Sequence, residues 1–451
     1  MPLSLATTLL NRNKLKYQEE KTMKKLLALA LTLVMIFALA ACGGEKEPAP
    51  SQSTPAESTP AESTPAESTP SEATKTGTLK IGLLTHNTGW FAAVDTPNYN
   101  EFNATIQYVN DNGGWQVGDT VYTLEAVCVD GQSDYAALNT AALALVDAGV
   151  DFVVETNDFW VNTIAGVFEE EGIMHVSAYC VLAPGYIVPE NPLAFTGSNG
   201  TGGDYSTAFA TLAKYYPDVK SVILANDDNG LDETMIQLMR SIAANYDIEV
   251  LDQMVIYPGD TTDYTAYAQQ LVDSGADAFL GNGSPDAYGA LLKAVRAMGS
   301  DMVCACAQGK PAATLIEYCG TDAAYNAFTL GPSTRAEDKD LNTDILNDLV
   351  EKVREMYGDE EAANFDGAAA NCLYVILQLM QKTGSVDPEV VAAEWAKGGT
   401  IDTIYGTGTI GGEVTYGVAN HAIGSPRSVS IIDPNVEGGW YFAEWIDTLV
   451  P

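Results

Sequence analysis

Short apolar runs alternate with helically spaced apolar positions through most of this chain. Residues 79–85 (LKIGLLT) read as a buried strand, and residues 98–110 put Phe102, Ile106 and Val109 on one face of a helix. Strands follow at 121–129, 151–154 and 173–177, with helical stretches at 135–147 and 162–171 between them. That order is the pattern of a parallel sheet covered by helices. After the glycine-rich run 197–203 (GSNGTGG) a second series begins, with strands at 221–225, 249–256, 278–280, 302–305 and 327–330. Its helices cover about 205–215, 232–245, 264–274, 288–298 and 312–319. Downstream, 338–357 and 365–382 are long amphipathic helices, 388–397 is a shorter one, and the tail from Ile401 reads as β ribbons ending in Gly439-Trp440-Tyr441-Phe442. The expected fold is α/β, with two doubly wound lobes and a chain that crosses between them more than once.

The front of the chain follows other rules. Lys24 and Lys25 precede the apolar run 26–41 (LLALALTLVMIFALAA), which has the basic start, apolar middle and small-residue end of an export signal. Hydropathy alone does not separate this from a membrane span, which needs about 20 apolar residues. The end of the run decides: Leu39-Ala40-Ala41-Cys42-Gly43 resembles a bacterial lipobox, which implies cleavage before Cys42 and acylation of its thiol. Met23 reads as the natural start, so 1–22 is an upstream extension and 23–41 the signal. Residues 42–78 carry Ser-Thr-Pro-Ala-Glu from Ser53, again from Ser58 and Ser63, and the variant Ser68-Thr69-Pro70-Ser71-Glu72. With almost no large apolar side chains, such a segment cannot offset the entropy of ordering, and its prolines and like charges extend it into a tether. Its threonines are candidates for glycosylation.

Composition narrows the function. Residues 79–451 number 373, enough for two cores. They hold 14 basic and 52 acidic residues, and because 8 of each sign precede them, the whole net charge of −38 belongs to this part. Nucleic acid is excluded, since phosphate binding needs a basic footprint, and the acidity argues against a membrane-binding surface patch. Cys128, Cys180, Cys304, Cys306, Cys319 and Cys372 are scattered, without a CxxC. Cys304 and Cys306 fall in a strand with no histidine nearby in sequence, so no metal site is expected. His86, His175 and His421 are far apart and no serine elbow occurs, which argues against an enzyme. The run from Gly200 to Gly203 lacks the lysine of a phosphate loop, and no cofactor is expected.

Several segments follow one another in a fixed order. They are Lys80-Ile81-Gly82-Leu83-Leu84 through Thr88-Gly89, the helix end Val109-Asn110-Asp111-Asn112-Gly113-Gly114, and Glu169-Glu170-Glu171-Gly172-Ile173 before a strand ending at Ser177. Further ones are Tyr257-Pro258-Gly259-Asp260-Thr261-Thr262-Asp263-Tyr264, the helix from Leu291 to Gly299 (LLKAVRAMG), and Lys382-Thr383-Gly384-Ser385. In this order they resemble the leucine/isoleucine/valine-binding type of periplasmic solute-binding proteins, with the type I periplasmic-binding fold, over nearly all of 79–446. It implies three crossovers between lobes, here near 197–203, 331–335 and 398–412, and hence a first lobe of 79–197 plus 333–400 and a second of 198–332 plus 401–451. It also implies a monomeric receptor on the outer face of the bacterial membrane that captures a small molecule between its lobes and docks on an ABC permease. A sensory receptor of the same fold is the alternative.

In this family, hydroxyls and backbone amides after the third and fourth strands of lobe one hold an amino acid's carboxylate, and an acidic residue of lobe two takes its ammonium. The corresponding loops here are Glu155-Thr156-Asn157-Asp158-Phe159-Trp160 and Ser177-Ala178-Tyr179-Cys180-Val181, and the acidic position aligns with Gln308. The usual serine is missing and a neutral amide stands where the acid should be, so the resemblance implies an altered pocket. The ligand contacts expected are Thr88, Trp90, Phe91, Asn157, Phe159, Trp160, Ala178, Tyr179, Cys180, Asn226, Ser284 and Gln308. Aromatic walls with a few polar pins suit a flat or partly apolar neutral solute.

Overall fold

The computed structural model describes residues 75–89, 91–156, 161–179, 185–197, 200–227, 233–281, 285–306, 312–331, 343–448 and 450. The export signal, Cys42 and residues 43–74 of the expected tether lie outside them; residues 75–78, also read as tether, instead open a strand that runs from Lys75 to Thr85 and pair in parallel with 120–123.

In the first lobe, β1 (Lys75–Thr85), α1 (Ala92–Asp111), β2 (Trp115–Val117), β3 (Thr120–Asp130), α2 (Tyr135–Ala148), β4 (Phe152–Glu155), α3 (Val161–Glu171), β5 (Met174–Ser177) and β6 (Ala194–Thr196) follow in order. The second lobe contains α4 (Gly200–Tyr215), β7 (Ser221–Asp227), α5 (Glu233–Ala243), β8 (Glu249–Tyr257), α6 (Thr265–Asp273), β9 (Ala278–Gly281), α7 (Pro285–Ala297), β10 (Val303–Cys306), α8 (Ala312–Cys319) and β11 (Ala327–Leu330). The chain then returns through α9 (Asp344–Tyr357), α10 (Asp359–Ala363), α11 (Ala368–Thr383), α12 (Pro388–Trp395), β12 (Gly399–Thr403), β13 (Gly406–Gly411), α13 (Glu413–Tyr416) and β14 (Ala422–Gly424). It ends with β15 (Arg427–Ile432) and β16 (Trp440–Ile446).

Alternation along the strands separates the layers. Leu79, Ile81 and Leu83 of β1 join Phe152, Val154, Met174 and Val176 in a core roofed by α1, α11 and α12, while Leu84 and Val153 turn to α2 and α3. Burying each such side chain contributes about 1.5–3 kcal/mol. Local chemistry sets several helix ends. Asp134 caps α2 by accepting from the Ala136 N–H, and Gly149 ends that helix in the left-handed region at φ 72°. Asp387 caps α12 and Pro388 opens it.

The first sheet has the order β12-β13-β14-β6-β5-β4-β1-β3-β2 and the second β16-β15-β11-β10-β9-β7-β8. In each the chain steps from the first strand to one side and then returns to the other, so the order reverses between β1 and β4 and between β7 and β9. Ligands of open α/β sheets bind at such switch points, outside the strands' carboxyl ends.

Two further features differ from the sequence reading. The ribbon β12-β13-β14 extends the first sheet, β14 pairing in parallel with β6 through Ala422 and Thr196, instead of joining the second lobe. Ile401, Ile410 and Ile423 find their apolar cover there, with Trp395 and α11. The third crossover is therefore at 425–426, between β14 and β15, and not at 398–412. Helix α1 begins before Pro97, which lies inside it, and not after it. Beyond β16 the chain stays on the second lobe at Thr448, whose hydroxyl lies 2.7 Å from that of Thr207 on α4, and then reaches the first lobe, where the Val450 carbonyl accepts from Gly412 N–H at 3.0 Å.

Candidate functional site

At the first switch point, Asp95 on α1 joins the loop after β1 to the loop after β4. Its Oδ2 accepts from the Thr85 hydroxyl at 3.2 Å, from the Thr156 hydroxyl at 2.6 Å, and from the His86 N–H. The side chain is fully buried and Oδ1 has no hydrogen-bond partner. Burial pushes the carboxyl up to about 6, against the downward pull of those three bonds. Burial also lowers His86 to about 4, so its ring is neutral at pH 7 and Nδ1 accepts from the Ser133 N–H at 3.1 Å.

The predicted contacts in this region divide. Thr88 is exposed, its hydroxyl on Asp130 at 2.7 Å, and its carbonyl accepts from the Ser133 hydroxyl. Phe91 packs edge-on to His86 with centroids 6.3 Å apart. These residues bind the loop after β1 to the loop after β3. Gly89 makes that closeness possible: at φ +88° an added Cβ would lie 2.6 Å from Ser133 Cβ.

Ala178 is buried in the core, and its N–H donates to the Glu155 carbonyl at 2.8 Å, tying the two predicted loops together. Tyr179 packs against the first-lobe core, and its hydroxyl donates to Asp366 Oδ2 at 2.7 Å and receives the Asn98 amide at 3.1 Å. The Asp366 N–H in turn donates to Glu101 Oε1 at 2.7 Å, and burial, then Asp366, hold the Glu101 carboxyl well above the usual range. Across the third crossover, Arg427 Nε reaches Asp204 Oδ1 at 3.0 Å, both nearly buried. Two acids act on Arg427: Asp204, which it bonds, and Asp366.

On the other face of the first sheet, Glu155, Ser177 and Thr196 stand in register at the carboxyl ends of β4, β5 and β6. With His175 they contribute five buried polar atoms that make no hydrogen bond: both Glu155 oxygens, His175 Nδ1, Ser177 Oγ and Thr196 Oγ1. His175 lies between two acids, Nδ1 3.6 Å from Glu155 Oε1 and Nε2 3.3 Å from Glu169 Oε1.

At the second switch point Asn226 is buried at the end of β7, its amide on the Asp227 carbonyl at 3.2 Å. Gly281 closes β9 so near to it that an added Cβ would lie 1.9 Å from the Ala225 carbonyl oxygen. Trp90, Asn157, Phe159, Trp160, Cys180, Ser284 and Gln308 lie outside the described residues. Among the described residues no group of acidic, histidine or cysteine side chains could hold a metal ion, and no helix is long and apolar enough to cross a membrane.

Sequence reading did not single out Asp95. A clue was available: Asp95 precedes Phe102 by seven residues, which places an acid on the helix face that otherwise faces the core. Asp366 and Arg427 gave no comparable cue, because their partners are distant in sequence.

Residues 78–424 match the family model described as periplasmic binding protein. No curated protein matches the chain. Among solved structures, the substrate-binding protein LivJ of a branched-chain amino acid transporter from Streptococcus pneumoniae, in complex with isoleucine, is 15% identical; 82% of this chain and 99% of that one are covered, with a TM-score of 0.61. The leucine-binding protein LivK from Thermotoga maritima is 18% identical, with 82% and 99% covered and a TM-score of 0.59. An ABC-transporter solute-binding protein from Rhodopseudomonas palustris, in complex with p-hydroxybenzoic acid, is 17% identical, with 82% and 97% covered and a TM-score of 0.61.

Proposed function

The chain belongs to the periplasmic binding protein family, and from that premise we propose that it is the lipid-anchored solute receptor of an ABC importer. The observation that supports this reading is the pair of switch points, one per sheet, at the carboxyl ends of the strands. A solute held between them would bring the lobes together, and the closed form would deliver it to the permease. The acylated Cys42 would hold the receptor at the outer face of the membrane, with 43–74 as tether. Lipobox and tether favour delivery over sensing.

The solute is a small organic molecule gripped by aromatic side chains from Trp90, Phe159 and Trp160 with Asn157, Asn226 and Gln308 as polar pins. The ligands of two similar structures, isoleucine and p-hydroxybenzoic acid, are small organic molecules and support this reading.

A thermal-shift screen against amino acids, amides, aromatic acids, amines and polyols tests this, because a ligand that binds only the folded chain raises Tm. A rise with one chemical class supports the receptor; no rise across such a panel speaks against it. For the anchor, Cys42→Ala should release the protein from the membrane fraction and abolish labelling by a fatty-acid analogue.

A further inference from the structure

We propose that Asp95 is a cation acceptor for the captured solute, so that the ligand carries a protonated amine or amidine which binds carboxylate oxygen Oδ1. This rests on the receptor reading above and adds the ligand's charge to it.

The two carboxylate oxygens of Asp95 are unevenly used. Oδ2 takes three donors, the Thr85 and Thr156 hydroxyls and the His86 N–H, while Oδ1 takes none although the side chain is wholly buried. A carboxylate kept out of water ordinarily finds donors for both oxygens or an opposite charge. Among the described residues Asp95 has neither a lysine nor an arginine partner. The charged groups that act on it are Asp130 at the end of β3 and Glu101 on its own helix, both acidic, and the His86 ring is neutral. The protein therefore leaves a negative site without its counter-charge.

Position decides where that counter-charge comes from. Asp95 bridges the loops after β1 and β4, the two strands flanking the first sheet's switch point, where a solute is expected. Donors from both loops fix the plane of the carboxylate and hence the direction in which Oδ1 points. An acceptor held in place in advance loses little freedom on binding. An anionic group at this point would meet repulsion, and a hydrocarbon group would leave Oδ1 unpaired. An ammonium or amidinium supplies both the hydrogen bond and the charge. The family's acidic position in lobe two aligns with neutral Gln308; Asp95 would place the acid in lobe one instead.

The test is isothermal titration of the full chain with probes matched in shape and differing in charge: benzylamine, benzamidine, L-arginine and putrescine against benzyl alcohol, benzoate, L-leucine and 1,4-butanediol. An amine or amidine should bind at least tenfold more tightly than its neutral or acidic counterpart. Asp95→Asn should cut that affinity tenfold or more, with Tm within a few degrees and with neutral solutes unaffected. Thr156→Val, which loosens the carboxylate but keeps its charge, should retain amine binding to within severalfold. Binding of neutral or acidic probes in preference to their amine counterparts overturns the inference and leaves the receptor reading standing; so does an Asp95→Asn variant that binds the amine as well as the parent. A chain that binds no probe of either kind counts against both. The charge comparison on the unmodified chain decides the matter even where a variant fails to fold.

Discussion

The Asn371 side-chain amide donates to the Gly197 carbonyl at 2.6 Å, and its own carbonyl oxygen accepts from the Ile404 N–H at 3.0 Å. The amide also lies 3.4 Å from the Ser425 hydroxyl. Gly197 closes β6 at the first crossover and Ser425 begins the third, so one buried side chain on α11 fastens the first lobe's ends of two connections. Asn371→Leu keeps the volume and removes every one of these bonds. It leaves the Gly197 carbonyl and the Ile404 N–H short of a partner, at about 1–3 kcal/mol for each buried group left unpaired. Urea unfolding should give an unfolding free energy lower by that amount, with a lower midpoint at unchanged slope; an unchanged midpoint would mean that the amide does not hold the crossovers.

Gly281 ends β9 beside the second switch point. An added methyl would sit 1.9 Å from the Ala225 carbonyl oxygen and 2.3 Å from the Tyr288 hydroxyl, which itself donates to that carbonyl at 2.9 Å. Neither neighbour can retreat without breaking a buried bond or spreading β7 from β9. Gly281→Ala is expected to cost on the order of 3 kcal/mol, as overpacking of a rigid core does. A loss of Tm of under about 1 °C would mean that β7 and β9 yield to the added methyl.

The strand and helix series of both lobes was legible because parallel strands buried on both faces read as short apolar runs, and the helices between them keep a 3.6-residue period. Where partners are remote in sequence the reading failed. The ribbon 399–424 alternates like any β ribbon, and only the cover offered by Trp395 and α11 assigns it to the first sheet. Tyr179 sits in a predicted cleft loop, but its hydroxyl is tied to Asp366, 187 residues away, a contact no local pattern reveals. Conversely, Asp95 stands in the core-facing register of α1, but the apolar spacing read the helix only from residue 98 and so left Asp95 outside it.

Thr196 ends β6 with its hydroxyl buried and unbonded, in register with Ser177, whose hydroxyl is in the same state. Neighbouring strands are about 4.8 Å apart, so the pair forms a polar strip beside Glu155 under α3. Removing a buried, unpaired hydroxyl while keeping its shape is favourable, because the group no longer loses its bonds to water on folding. Thr196→Val should therefore raise stability by about 1 kcal/mol in denaturant melts. A loss of similar size would indicate that an internal water shared with Glu155 satisfies the hydroxyl in solution.

Asp95 and His175 make stability depend on pH in one direction but in separate windows. Burial raises the Asp95 carboxyl from 3.8 to about 6, so the native chain binds this proton more readily than the unfolded chain. The stability linked to it is present below about pH 4 and is lost as pH rises through about 6, on the order of 2–3 kcal/mol. For His175, burial acts to lower the pKa but the carboxylates of Glu155 and Glu169 outweigh it and raise it above 6.5. Its contribution is complete below 6.5 and disappears as pH rises through the higher folded value. Unfolding free energies of the unliganded chain should thus fall between pH 4 and 8. Asp95→Asn should flatten the acidic part of the curve and His175→Gln the part above 6.5, each leaving the other's window in place. Single variants that shift the whole curve without changing its slope would mean that the titrating groups lie elsewhere.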